Sequence, residues 1–225
     1  MEVELKFALT SRQKLEIAEY LESIGRYCGR KQMSSLYFDI AGDVFKNSHT
    51  TLRLRREDEH IVLNIKHDKG SSSGLYRRSE WEFVVTELVA DFDNFFQQKH
   101  TLISTWQHIS HYLAKQISSA ESSIEDLSLL KAICEQIIPE QIHLQCGARF
   151  VRDIYSVEKD EDIVEVVIDE GNLMGREYTE AFMECELEIK QGNLLTLQQL
   201  GDDLSQKFTL RPQELSKFAR AERLR

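Results

Sequence analysis

Two prolines in 225 residues, and no low-complexity stretch, leave nothing that reads as a linker between domains. This length therefore implies one sizeable domain, or a domain carrying an insertion. No run approaches the ~18 consecutive apolar residues of a membrane span. Charges at positions 2, 4 and 6 are wrong for a secretory leader. The four cysteines (Cys28, Cys134, Cys146, Cys185) form no Cys-x-x-Cys pair, so reduced thiols in a cytoplasmic protein are expected. A net charge of −10 argues against a general nucleic-acid partner. No internal period of about 20–50 residues marks a repeat architecture. No Ser/His/Asp or Cys/His grouping offers a covalent nucleophile. The Gly70–Gly74 stretch lacks the Gly-Lys-Ser/Thr and following helix of a phosphate loop, so it reads as a hairpin loop.

What the chain does have is acid in rows. It opens with Glu2-Val-Glu4-Leu-Lys6, and near its other end runs Glu184-Cys185-Glu186-Leu187-Glu188-Ile189-Lys190. Alternate side chains of a strand share a face. Each segment therefore projects carboxylates ending in a lysine on one side and apolar residues on the other. Carboxylates packed a few ångströms apart either take up protons or hold a cation between them. A divalent-metal site built on strands is the expectation.

Alternating patterns predict strands over Glu2–Phe7, Ser35–Ile40, Thr50–Arg56, His60–Lys66, Tyr76–Val85, Gln145–Val157, Ile163–Asp169 and Phe182–Lys190. Thr10 or Ser11 caps a helix over 12–24, with Leu15, Ala18, Leu21 and Ile24 at helical spacing, and Gly25 stops it. Helical periodicity takes over between about 91 and 140, and two amphipathic helices finish the chain, over 194–207 and 213–224. The pattern predicts an α+β fold with flanking helices and a helical insertion over about 91–147 in a single domain spanning 1–225; its eight antiparallel strands can close into a β-barrel, which encloses a polar tunnel if the charged face turns inward.

Strand phase groups the charged residues. Arg53 and Arg55 share a face, as do Asn64 and Lys66, and Arg78, Glu80 and Glu82. Arg152 is in phase with Phe150, and Asp169 with Glu165 and Val167. The inward set would hold Lys6, Arg53, Arg55, Lys66, Arg78, Arg152 and Lys217 against Glu2, Glu4, Glu80, Asp169, Glu186 and Glu188. Seven cations and six anions nearly cancel, so a polyanion and metal ions would enter together. Arginine forks bind phosphate oxygens in pairs and lysine adds point charge. A single Glu-x-Glu row is usually a solvated face; the ordered combination is what carries the reading. His108 and His111, at i and i+3 in the helical block, read as surface or packing residues because no third ligand is visible. Arg220, Arg223 and Arg225 read as a basic helix end that favours the helix dipole and needs no ligand.

The ordered set Glu2-Val-Glu4-Leu-Lys6, Tyr37-Phe38-Asp39, Leu52-Arg53-Leu54-Arg55, Lys66, Arg78-x-Glu80, Arg152, Asp169, Glu186-Leu187-Glu188 and Leu215-Ser216-Lys217 resembles the CYTH superfamily, also called triphosphate tunnel metalloenzymes. Gly74–Glu80 and Leu210–Arg220 resemble its bacterial inorganic triphosphatases in particular. The match runs over nearly the whole chain except 91–147, a segment longer than in many bacterial relatives. The resemblance implies an eight-stranded tunnel binding triphosphates with Mg²⁺ or Mn²⁺. By position, Glu2, Glu4, Glu186 and Glu188 would be metal ligands, with Asp169 a further ligand or partner. Lys6, Arg53, Arg55, Lys66, Arg78, Arg152 and Lys217 would hold the phosphate chain. Lys6, Glu80 and Asp169 are the candidates for catalytic roles; Glu80 could hold Arg78 or Lys66, or help at the metal site.

The expected activity is metal-dependent hydrolysis of inorganic triphosphate to pyrophosphate and phosphate. Within the enzyme class the alternatives are a thiamine triphosphatase or a class IV-like adenylyl cyclase. A module that captures polyphosphate or nucleotide without turnover is the alternative outside it. The partner is thus a triphosphate compound, with neither nucleic acid nor membrane expected.

Overall fold

Nine strands form one antiparallel sheet in a computed structural model that describes residues 2–72, 75–89, 92, 99–119 and 126–224. Glu2, Lys69–Ser72, Leu75–Arg78 and 99–101 are described by backbone alone. The strands are β1 (Glu2–Ala8), β2 (Arg26–Ile40), β3 (Thr50–Glu57), β4 (His60–Ser72), β5 (Leu75–Val84), β6 (Ile142–Lys159), β7 (Asp162–Met174), β8 (Thr179–Gln191) and β9 (Arg211–Pro212). Their order is β5-β4-β3-β2-β6-β7-β8-β1-β9, and β1 also pairs with Leu75–Arg78 of β5. The helices are α1 (Ser11–Ile24), α2 (Val44–Asn47), α3 (Lys99–Ser119), α4 (Leu127–Glu135), α5 (Leu194–Phe208) and α6 (Lys217–Ala221). No helix among the described residues is long and apolar enough to cross a membrane.

The residues group into two compact units. The first comprises 1–34, 68–78 and 147–225; the second, 35–67 and 79–146. In the first, the apolar faces of β1, β7 and β8 (Val3, Phe7, Val164, Val166, Ile168, Cys185, Leu187) meet Ile17 and Leu21 of α1 and Leu197, Leu200 and Leu204 of α5. Period-2 strands and period-3.6 helices thus bury one stripe each. Thr10 caps α1 in a capping box with Gln13, and Gly25 ends it. The buried stripe of α1 is Ile17–Leu21, whereas Leu15 is 65% exposed. The buried stripe is therefore rotated from the expected 15-18-21-24 one, because α5 packs with Ile17 and Leu21 in the same core.

In the second unit, Leu52, Leu54, Leu63, Ile65 and Trp81 pack against Trp106, Ile109 and Leu113 of α3 and Leu130 and Ile133 of α4. Trp106 meets Phe38 edge-on, with ring centroids 5.1 Å apart. Asp39, buried to 1% exposure, accepts the backbone N–H groups of Ile40, Phe45 and Lys46 and so fixes the turn that leads into β3.

Several elements differ from expectation. The ninth strand is the two-residue β9, just before the expected start of the last helix at 213; α6 itself begins only at Lys217 and spans five residues. Strand β4 runs on to Ser72, through most of the expected loop, while Ser73 and Gly74 lie outside the described residues. The segment expected to be helical holds α3 and α4, but its last residues, from Ile142, already belong to β6. Of its phenylalanines, Phe92 is buried, and Phe95 and Phe96 lie outside the described residues.

Candidate active site

Cross-strand register builds the site in the first unit. Lys6 of β1 lies opposite Glu186 of β8, and Glu4 opposite Glu188. Asp169 of β7 lies opposite Arg152 of β6 on one side and Glu184 of β8 on the other. All of these side chains point away from the apolar face, because Cys185, Leu187, Val166 and Ile168 occupy the alternate positions.

The result is a buried cluster of alternating charge. The Lys6 ammonium bridges Glu4 at 3.0 Å and Glu186 at 3.2 Å. Arg152 grips Asp169 with two parallel bonds, Nε to Oδ1 at 2.8 Å and a terminal nitrogen to Oδ2 at 2.7 Å, and reaches Glu186 at 3.0 Å. Lys217, the first residue of α6, sits 2.7 Å from Asp169 and 3.1 Å from Glu186 and also contacts Glu184. Arg220, one helical turn on, pairs with Glu184.

The electrostatics follow from burial and partners. Burial opposes ionisation of Glu186, but Lys217, Lys6 and Arg152 outweigh it and hold the carboxyl well below its usual range. Burial likewise disfavours the Lys217 and Arg152 cations, yet the carboxylates around them, Asp169 foremost, raise both above their ordinary values. Glu184 is pushed upward by burial, with Lys217 the main opposing influence. On the apolar face, burial raises the Cys185 thiol, which leaves it un-ionised and unsuited to nucleophilic work.

The second unit carries its own charged face. Arg53 donates from Nε to Asn64 at 3.1 Å. Arg55 pairs with Glu57 at 2.7 Å and Glu82 at 3.0 Å. Lys66 pairs with Glu80 at 3.1 Å, and Asn64 donates to Glu80 at 3.2 Å.

Of the residues expected at the site, Glu4, Lys6, Arg152, Asp169, Glu186 and Lys217 come together in the first unit. Glu188 is on the same face but turns to Lys190 at 2.7 Å, and Lys190 also reaches Glu165 at 3.2 Å. Arg53, Arg55, Lys66 and Glu80 lie together in the second unit. Glu2 and Arg78 pair in register through the backbone, and their side chains lie outside the description. His108 and His111 are both exposed on α3.

Two members lie outside the inward set that strand phase groups. Glu184 is the first acid of its row, and Arg220, which reads as a basic helix end, has a carboxylate partner instead; its i+3 spacing from Lys217 is the signal in the sequence.

The donor set suits a hard divalent cation. Carboxylate oxygens of Asp169, Glu184 and Glu186 lie within 4.8 Å of one another. Glu4 and Glu186 already share one cationic partner in Lys6. All-oxygen ligation of this kind suits a hard divalent cation better than a thiophilic ion.

Known proteins share this arrangement of strands. An inorganic triphosphatase of Haemophilus influenzae is 25% identical over 197 residues, covering 87% of this chain; the chain spans about half (47%) of that relative's length. A Hippeastrum protein, described as an adenylyl cyclase candidate with a dominant triphosphatase activity, superimposes over 99% of this chain and 95% of its own with a TM-score of 0.67 at 18% identity. An adenylate cyclase candidate of Bacillus halodurans gives a TM-score of 0.55 at 13% identity, over 96% of this chain and 94% of its own. At these identities the structural likenesses establish the fold. The CYTH domain model matches residues 1–221. That match runs over nearly the whole chain, and the chain belongs to the CYTH family.

Proposed function

We propose that the protein is a metal-dependent triphosphatase that hydrolyses inorganic triphosphate to pyrophosphate and phosphate. The observation that carries this reading is the convergence of Lys6, Arg152 and Lys217 on Glu186, with Glu4 and Asp169 in the same buried cluster. A purely phosphate-binding pocket gains little from clustered carboxylates. A phosphoryl-transfer site needs them to hold a cation beside the cations that meet the phosphates. The likeness to the H. influenzae inorganic triphosphatase supports the substrate. Closure of eight strands into a tunnel belongs to the same proposal and is supported by the pairing of β1 with both β8 and β5.

In this reading Glu4, Glu186 and Asp169, with Glu2 and Glu188, hold Mg²⁺ or Mn²⁺, which when bound supplies Lewis-acid neutralisation of phosphate oxygens. Lys6, Arg152 and Lys217 take up the remaining charge, and Arg53, Arg55, Lys66 and Arg78 hold the rest of the phosphate chain. Transfer of a phosphoryl group is mainly a matter of positioning and charge, so such residues supply most of the rate. Asp169 is clamped by Arg152 and Lys217. Besides facing the ion, this carboxylate fixes those two cations. Glu80 holds Lys66 in place.

The test is a phosphate-release assay with Mg²⁺ on inorganic triphosphate, thiamine triphosphate and ATP, with cyclic AMP measured alongside. Inorganic triphosphate is expected to turn over fastest, giving pyrophosphate and phosphate. Dominant cyclic-AMP production from ATP would overturn the assignment. Glu4→Gln and Glu186→Gln are expected to abolish turnover. A wild-type chain that binds triphosphate tightly with no turnover would instead be a binding module.

A further inference from the structure

Glu184 is 1% exposed, and among the described residues both of its oxygens are engaged by α6. Oε1 accepts from the Lys217 ammonium and Oε2 from the Arg220 guanidinium. Both donors belong to one turn of α6, at i and i+3, so a single carboxylate grips the helix at two points. The grip answers a local conflict. Lys217 is the first residue of α6, and a cation there opposes the helix dipole. Ser216 caps the helix through the Ala219 N–H, but this leaves the misplaced charge unanswered.

The floor beneath α6 is aromatic. Phe150 and Phe182 lie on either side of Gly171 in the cross-strand register and meet edge-on at 5.7 Å. Only glycine permits this approach, since a Cβ at position 171 would fall 2.1 Å from the Arg149 carbonyl oxygen and 2.5 Å from Phe150 Cβ. The Lys217 ammonium lies 5.0 Å and 5.4 Å from the two ring centroids, and the Arg220 guanidinium 5.3 Å from that of Phe182. The rings bound Lys217 from below while Glu184 holds it from one side. From there the ammonium reaches Asp169 and Glu186.

We infer that Glu184 is a positioning residue: by clamping Lys217 and Arg220 it docks α6 on the sheet and aims the Lys217 ammonium at Asp169 and Glu186. The inference rests on the triphosphatase reading, in which Lys217 meets a phosphate oxygen. The competing role is direct metal ligation, since Glu184, Asp169 and Glu186 converge within 4.8 Å. The two roles differ in what removal of the carboxylate disturbs. A clamp acts through Lys217; a ligand acts through the ion.

The experiment uses the full chain and two readouts: steady-state hydrolysis of inorganic triphosphate, and equilibrium Mn²⁺ binding by calorimetry. Glu184→Gln is expected to lower kcat about tenfold or more with Mn²⁺ affinity changed less than about twofold. In a Lys217→Met background the same substitution should cost less than about twofold further, because its partner is already gone. Arg220→Met should also lower kcat, and Arg220→Lys should recover most of it. Should Glu184→Gln fail to fold, the Arg220→Met/Lys217→Met cycle is expected to show the same non-additivity. Losses that add fully in the Lys217→Met background, or a more than about tenfold weakening of Mn²⁺ binding by Glu184→Gln, overturn the clamp. A wild-type chain with no turnover on any triphosphate sinks the functional reading with it, whereas an active wild type with additive losses sinks the clamp alone.

Discussion

Lys6 is the residue on which the cluster's balance turns. Its ammonium, 6% exposed, stands between Glu4 and Glu186, so Lys6→Met leaves two buried carboxylates facing each other with one shared cation fewer. Removing one member of a buried ion pair typically costs about 3–5 kcal/mol, and that loss is expected here in chemical unfolding. The same substitution makes a second, sharper expectation. A divalent ion that binds the folded state should restore part of the loss, so Mn²⁺ should raise Tm more in Lys6→Met than in wild type. Equal Tm shifts in the two proteins would show that these carboxylates do not hold the ion. Asp153, on β6 and away from the cluster, tests the pH dependence of folding. Arg30 donates to it twice, at 2.8 and 2.9 Å, and Tyr27 once at 3.0 Å. The Arg30 bonds, with help from Tyr27, hold its carboxyl below the usual value. A depressed folded-state pKa gives stability that is present above the ordinary carboxylate value, near 4, and lost as pH falls through the lower folded value. Thermal scans from about pH 6 to about pH 2 should therefore show a Tm decline that is shallower in Asp153→Asn.

Among the elements, β7 and β8 do most to place the site, and the glycine in β7 shows how little slack they have. Gly171→Ala drives a methyl group into the Arg149 backbone, which no rotamer change relieves. A loss of about 1–3 kcal/mol, as for other overpacked positions, is expected in denaturant unfolding. A wild-type midpoint in this variant would mean that β6 and β7 can separate at no cost. Strand existence was legible along the chain because alternation is a local property, as in Glu184–Lys190 and Thr50–Arg56. The acid and base rows were legible for the same reason. What the sequence did not disclose lay in contacts between distant elements. The stripe buried by α1 is chosen by α5, not by its own periodicity. Strand β4 extends through Lys69–Ser72 although its composition reads as loop, because strand formation depends on context more than on local propensity. The partner of Arg220 depends on where a five-residue helix docks, which no local pattern encodes.

At the scale of the whole molecule, each of the two units carries a charged face on which described cations and carboxylates engage one another. In the first, Lys6, Arg152, Lys217 and Arg220 face Glu4, Asp169, Glu184 and Glu186. In the second, Arg53, Arg55 and Lys66 lie among Glu57, Glu80 and Glu82. Among the described residues, these contacts already engage each of the named carboxylates with a cation or a side-chain amide. A triphosphate arriving alone would have to break existing ion pairs and strand carboxylates beside its own negative charge. A divalent ion arriving alone would displace ammonium groups with nothing to receive them. In the proposed triphosphatase reading, the carboxylates would hold the ion and the lysines and arginines would meet the phosphates. The two ligands should therefore bind with strong positive coupling, which linkage requires to be reciprocal. Calorimetry with a non-hydrolysable imido analogue of triphosphate, in EDTA and in saturating Mg²⁺, measures one direction; Mg²⁺ titration with and without the analogue measures the other. After correction for the complex that ion and analogue form in solution, each is expected to tighten the other by the same factor, about 5–150-fold. Analogue affinity that is the same in EDTA as in Mg²⁺ would mean that the carboxylates play no part in receiving the polyanion, and the paired charge of the two faces would then be structural alone.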